Sequence, residues 1–153
     1  MSSAKSTPTK TGHVIANGVR YYYEIHGKGE PLLLLHGGLG SIDMFQPVVL
    51  PPLANEREVI AVDLHGHGRT ELGERPINLI DIGDDLAVLL KELGYFNLDV
   101  MGYSFGGGAA LRLAVQHPQY VRRLVIVSAG YAQDGFIRRC SHSRRRFRLR
   151  WLT

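Results

Sequence analysis

The chain has 153 residues, 44% of them hydrophobic, enough for one core and too few for two comfortable domains. Its 18 basic and 14 acidic residues give a formal charge of +4, and its single cysteine excludes a disulfide framework and fits a reducing cytoplasm. No apolar stretch reaches the length of a membrane span, and Met1 to Gly12 is Ser/Thr/Lys-rich without the apolar region of a secretory signal.

In chain order, residues 1–12 read as a disordered leader. Val14 to Ile25 reads as a hairpin turning on Asn17-Gly18, the dipeptide favoured by a two-residue turn. Its tyrosines suit a packed strand surface better than a base-stacking platform. Pro31 to His36 is apolar on both faces, the pattern of a buried parallel strand. A helix is expected near 43–54, with Pro51-Pro52 awkward inside it. Glu58 to Leu64 reads as another buried strand, running into His65-Gly66-His67-Gly68-Arg69-Thr70. Ile82, Leu86, Leu89, Leu90 and Leu93 recur at helical spacing, predicting a helix over 78–93 that stops at Gly94. A strand at 97–102, a helix at 105–117 and a strand at 121–128 follow. Strands alternating with helices predict an α/β fold: a mostly parallel sheet, helices on both faces, and an N-terminal β-hairpin. Ligands of such sheets bind at the carboxyl ends of the strands, where the glycine loops emerge.

Two of those loops carry chemistry. Gly102-Tyr103-Ser104-Phe105-Gly106 sits between a predicted strand and a small-residue helix. In that context a G-x-S-x-G becomes a sharp turn that lifts the serine hydroxyl clear of the sheet, making Ser104 a candidate nucleophile. The plain alternative is a glycine-rich turn with an incidental serine. His36-Gly37-Gly38 ends an earlier strand and leaves backbone N–H groups free. Acyl transfer at a serine needs two such donors for its oxyanion. One is the amide after the nucleophile, Phe105, and the other is Gly38 or Leu39. His36 itself reads as structural, since it sits beside these donors and not at the end of a late strand.

Three motifs in order, His36-Gly37-Gly38, Asp63-x-His65-Gly66-x-Gly68 and the turn around Ser104, resemble the N-terminal half of an α/β-hydrolase-fold protein of the serine esterase or acyl hydrolase type. The resemblance covers roughly residues 12–136. It implies hydrolysis of a small-molecule ester or related acyl bond, with Ser104 forming an acyl-enzyme that water releases. It also implies structural roles for Asp63 and Arg69, and no cofactor. His65 and His67 are not read as a metal pair, because no acidic or cysteine cluster supports them. Serine at the centre of the turn argues against the dehalogenase and epoxide hydrolase branches, which use aspartate there. In this family the orienting acid and the histidine base follow the serine. After Ser104 the only histidines are His117, expected to point away, and His142, and the only acid is Asp134, a candidate orienter. The chain is therefore expected to lack its usual acid and base. A non-catalytic binding protein on the same scaffold is the alternative reading.

The partial hydrolase domain is expected over 13–136. Residues 137–153 hold seven arginines, no lysine and no acid. Removing them leaves 18 − 7 = 11 basic against 14 acidic residues in 1–136, so the body is acidic and the tail carries the positive charge. Such a run can bind nucleic-acid phosphates, or lie on a membrane with Phe147, Leu149, Trp151 and Leu152 as anchors. Its abrupt onset and all-arginine usage favour a third reading, a shifted reading frame in a truncated hydrolase, so neither nucleic acid nor membrane is expected as a partner.

Overall fold

The computed structural model describes residues 5–130. Asp134, His142 and the arginine-rich tail lie outside the described residues, as do the first four residues of the expected leader.

Six strands form one sheet: β1 (Lys10–Ala16), β2 (Val19–His26), β3 (Glu30–Leu35), β4 (Arg57–Val62), β5 (Leu98–Tyr103) and β6 (Val121–Val127). Their spatial order is β1-β2-β4-β3-β5-β6. The four strands from β4 to β6 run parallel, and the β1–β2 hairpin is added antiparallel along β4. The hairpin turns on Asn17 and Gly18, both at positive φ as that turn requires.

Alternation along the central strands serves two layers. Leu33, Leu35, Ile60, Val62 and Val100 point to one face, where they meet α2 (Leu79–Leu93) and α3 (Phe105–Gln116) through Leu86, Leu89, Leu90, Ala109, Ala110 and Leu113. Leu32, Leu34, Val59 and Ala61 point to the other, against Ile42, Phe45 and Leu50. Each of the larger side chains (Val, Leu, Ile, Phe) contributes roughly 1.5–3 kcal/mol relative to exposure. That double burial explains why β3 reads as a leucine run and not as an alternation.

Helix α2 begins at Asn78, whose side-chain oxygen accepts from the Ile80 N–H at 2.8 Å, and ends at Gly94 in the left-handed region. The single helix expected near 43–54 is instead two pieces: a 3-10 turn, Ile42–Phe45, and α1, Leu50–Glu56. Pro51 and Pro52 fall in the first turn of α1, where a missing N–H leaves nothing unpaired. The leader also needs correction within the described residues. Lys10 to Gly12 already belong to β1, Thr9 donates through N and Oγ1 to the Ile25 carbonyl, and Ser6 is hydrogen-bonded to Gln46. Backbone pairing orders a polar segment that has no apolar signal of its own.

Candidate active site

Ser104 stands between β5 and α3 at φ 51° and ψ −114°, a conformation that L-residues rarely adopt. Its backbone is tied from both sides. The N–H donates to the Val127 carbonyl of β6 at 2.8 Å, and its carbonyl accepts from Gly107 N at 2.9 Å. The flanking glycines are needed for close approach: a Cβ on Gly102 would overlap the Gly106 carbonyl, and one on Gly106 would overlap the carbonyls of Leu35 and His36. The turn is thus pressed directly onto the end of β3.

That contact brings the second loop alongside. A Cβ built on Gly37 would lie 3.5 Å from Ser104 Cβ, and one on Gly38 would lie 3.5 Å from Phe105 Cβ. Among the described residues, the amides of Gly38, Leu39 and Phe105 have no hydrogen-bond partner. Leu39 has a positive φ of 61° and a fully exposed side chain. The Gly37 N–H is already engaged, donating to Met44 Sδ at 3.3 Å, a contact nothing in the sequence signals. The N-terminus of α3 adds its partial positive charge at the same place.

His36 is fully buried with both ring nitrogens committed. Nδ1–H donates to the Gly37 carbonyl at 2.7 Å, and Nε2 accepts from Leu64 N at 2.9 Å. Burial pushes its pKa down, so the neutral ring is the form that bridges the two loops. Asp63, also fully buried, accepts from Ile42 N at 2.7 Å and from Arg69 N and Nε at 2.9 and 2.8 Å. His65 Nε2 is 2.6 Å from the Leu72 carbonyl, and His67 Nδ1 is 2.9 Å from the His65 carbonyl. The His67 ring stacks on Phe105 at 5.5 Å and lies 5.3 Å from His36, which the sequence does not foretell. Both histidines are engaged within the protein, and no group of three or more metal-ligating side chains assembles among the described residues.

His117 lies at the far end of α3, with Nε2 2.7 Å from Asp84 Oδ1 of α2, so it does not approach Ser104. Among the described residues, no histidine is hydrogen-bonded to the Ser104 hydroxyl. The expected nucleophile and both expected amide loops are together, while the candidate acid, Asp134, lies outside the described residues.

The profile of the alpha/beta hydrolase fold family matches residues 30–149, running past 136 into the arginine-rich segment. The 2-hydroxymuconate semialdehyde hydrolase of a Pseudomonas species is 38% identical over 134 residues, which is 85% of this chain and 47% of that protein. The candidate carbamate hydrolase RutD of Azorhizobium caulinodans is 37% identical over 128 residues, 84% of this chain and 48% of that protein. Among solved structures, the N-acyl homoserine lactone degrading enzyme Est816 superposes with a TM-score of 0.70 at 33% identity, over 78% of this chain and 46% of that one. The chain spans about half the length of the curated relatives it matches. No helix among the described residues is long and apolar enough to cross a membrane.

Proposed function

The chain belongs to the alpha/beta hydrolase fold family, and from that premise we propose that it carries the nucleophile half of an acyl hydrolase acting on small-molecule esters or related acyl compounds. The strained Ser104, with free amides beside it, is the observation that carries the reading. Ser104 Oγ attacks the substrate carbonyl. The Phe105 amide and that of Gly38 or Leu39 receive the developing oxyanion, and water later releases the acid. The relatives' names, a semialdehyde hydrolase and a lactone-degrading enzyme, support small oxygenated substrates. A hydroxyl at the centre of the turn, and not a carboxylate, supports acyl transfer over epoxide opening.

Among the described residues no histidine reaches Ser104, and the 153-residue polypeptide is expected to turn over p-nitrophenyl butyrate slowly, by a factor on the order of 10⁴ relative to an intact triad. The assay is run beside Ser104→Ala, and a small residual rate should fall in that variant. Robust turnover indifferent to Ser104→Ala would remove the nucleophile assignment. Robust turnover abolished by Ser104→Ala would keep the nucleophile and place a working base in this polypeptide.

A further inference from the structure

A hydroxyl–imidazole–carboxylate chain lies on strand β2, away from Ser104. Strand β2 alternates its faces, so Tyr22, Glu24 and His26 project together. His26 is fully buried and Glu24 is 8% exposed. His26 Nε2 is 2.8 Å from Glu24 Oε2, and His26 Nδ1 is 2.9 Å from Ser6 Oγ. A carboxylate only accepts, so Nε2–H donates to Glu24. That leaves the Nδ1 lone pair to accept from the Ser6 hydroxyl. We infer that Ser6, His26 and Glu24 form a nucleophilic triad that does not use Ser104 and that makes the Ser6 hydroxyl reactive toward acyl and phosphyl electrophiles.

Three features separate this from an ordinary satisfied histidine. The first is the order of groups: hydroxyl, imidazole, carboxylate, so that the imidazole can take the hydroxyl proton while the buried carboxylate orients the ring and stabilises its charged form. The second is that the carboxylate is itself oriented. Glu24 Oε1 accepts from the Tyr22 hydroxyl at 3.0 Å and lies 3.6 Å from an Arg69 guanidinium nitrogen, leaving Oε2 for the imidazolium that forms on attack. The third is that the nucleophile's backbone is clamped. Ser6 N–H donates to Gln46 Oε1 and Gln46 Nε2–H donates back to the Ser6 carbonyl, both at 2.9 Å. Ser6 is half-buried, with its main chain held by Gln46. The site is separate from Ser104. His26 pairs with Val59, near the start of β4, whereas Ser104 lies beyond the carboxyl end of β5.

With a fluorophosphonate the step balances simply. Ser6 Oγ–P forms, P–F breaks, fluoride leaves, and the hydroxyl proton passes to His26 Nδ1. With an activated ester, the acyl–Oγ bond forms as the phenolate departs.

The test uses a fluorophosphonate on the chain in a Ser104→Ala background, which removes the competing hydroxyl. Trypsin then separates residues 6–10 from 92–112, and mass spectrometry locates the adduct. The expected adduct is on residues 6–10, lost in Ser6→Ala, with a labelling rate about a hundredfold or more above that of the same chain in urea. His26→Gln and Glu24→Gln, with folding checked by circular dichroism, should each slow it, His26→Gln by a similar factor. If His26→Gln does not fold, Glu24→Gln and the folded-to-unfolded ratio decide. Absence of an adduct on residues 6–10, or equal rates folded and unfolded, overturns the triad. Neither outcome bears on Ser104.

Discussion

Asp63 is the residue on which the loops around Ser104 depend most. Its carboxylate is fully buried and accepts three hydrogen bonds, one from Ile42 N and two from Arg69. The first fixes the 3-10 turn after the His36-Gly37-Gly38 loop, and the others fix the loop carrying His67. An asparagine there keeps the shape, but its NH₂ would face a donor. Asp63→Asn should therefore cost about 3–5 kcal/mol in urea unfolding; a cost under about 1 kcal/mol would show that the carboxylate is not what holds the loops. At this scale the glycines and the sharp turn around Ser104 are legible, because only glycine fits where carbonyls press in at positions 102 and 106. The His36 bridge to Leu64 N and the His67 stack on Phe105 are not legible. Both join residues far apart in sequence through ring orientations that no local pattern encodes.

Among the elements, an ionic clamp fastens the parallel strands at the end opposite Ser104. Asp99 of β5 receives Arg57 of β4 at 2.8 Å and Arg122 of β6 at 2.9 Å, and Arg122 also reaches Glu30 of β3. Hydrogen bonding from Arg122, with Arg57 beside it, holds the Asp99 carboxyl below the usual carboxylate range. A depressed folded-state pKa means that the stabilisation is present above the unfolded value and is lost as pH falls through the folded one. Asp99→Asn should cost about 1–3 kcal/mol at pH 7. The gap to the parent should close as unfolding is repeated at pH values falling below 4, because the parent then loses the same charge. A gap constant with pH would deny Asp99 its ionic role. Elements with their own punctuation were legible: α2 has Asn78 and Gly94 at its ends, and the hairpin has Asn17-Gly18. The segment at 43–54 was misjudged because prolines that break a helix interior also start one. The ordering of residues 5–12 was missed because it rests on partners, Ile25 and Gln46, supplied from elsewhere.

For the molecule as a whole, the sheet is asymmetric in how it is covered. Its first edge, β1, is the outer strand of the hairpin and exposes the polar Lys10, Thr11 and His13. The other edge, β6, holds Leu124-Val125-Ile126-Val127, all only half-buried, and among the described residues no strand pairs with its outer side. Leu124 packs into the core beside α3, and Ile126 comes against Gly107. Alternation then turns Val125 and Val127 to the opposite face, where neither belongs to the apolar cluster under α1. An apolar edge with free backbone groups is a template for pairing with another chain. The 153-residue polypeptide should accordingly self-associate, with a sedimentation coefficient that rises across the micromolar range. A lysine at Val125 should suppress this, since a charge on an edge strand opposes edge-to-edge pairing, and this half-buried side chain, beside Met101 of β5, is not among the buried core residues. Val125→Lys should leave the far-UV spectrum unchanged. Leu124→Lys should instead unfold the chain, because it drives a charge into the layer between sheet and helices. A concentration-independent monomer for the parent chain, melting sharply with strong near-UV signal, would mean that the edge is already satisfied, and both lysine variants would then need to be reread as tests of packing alone.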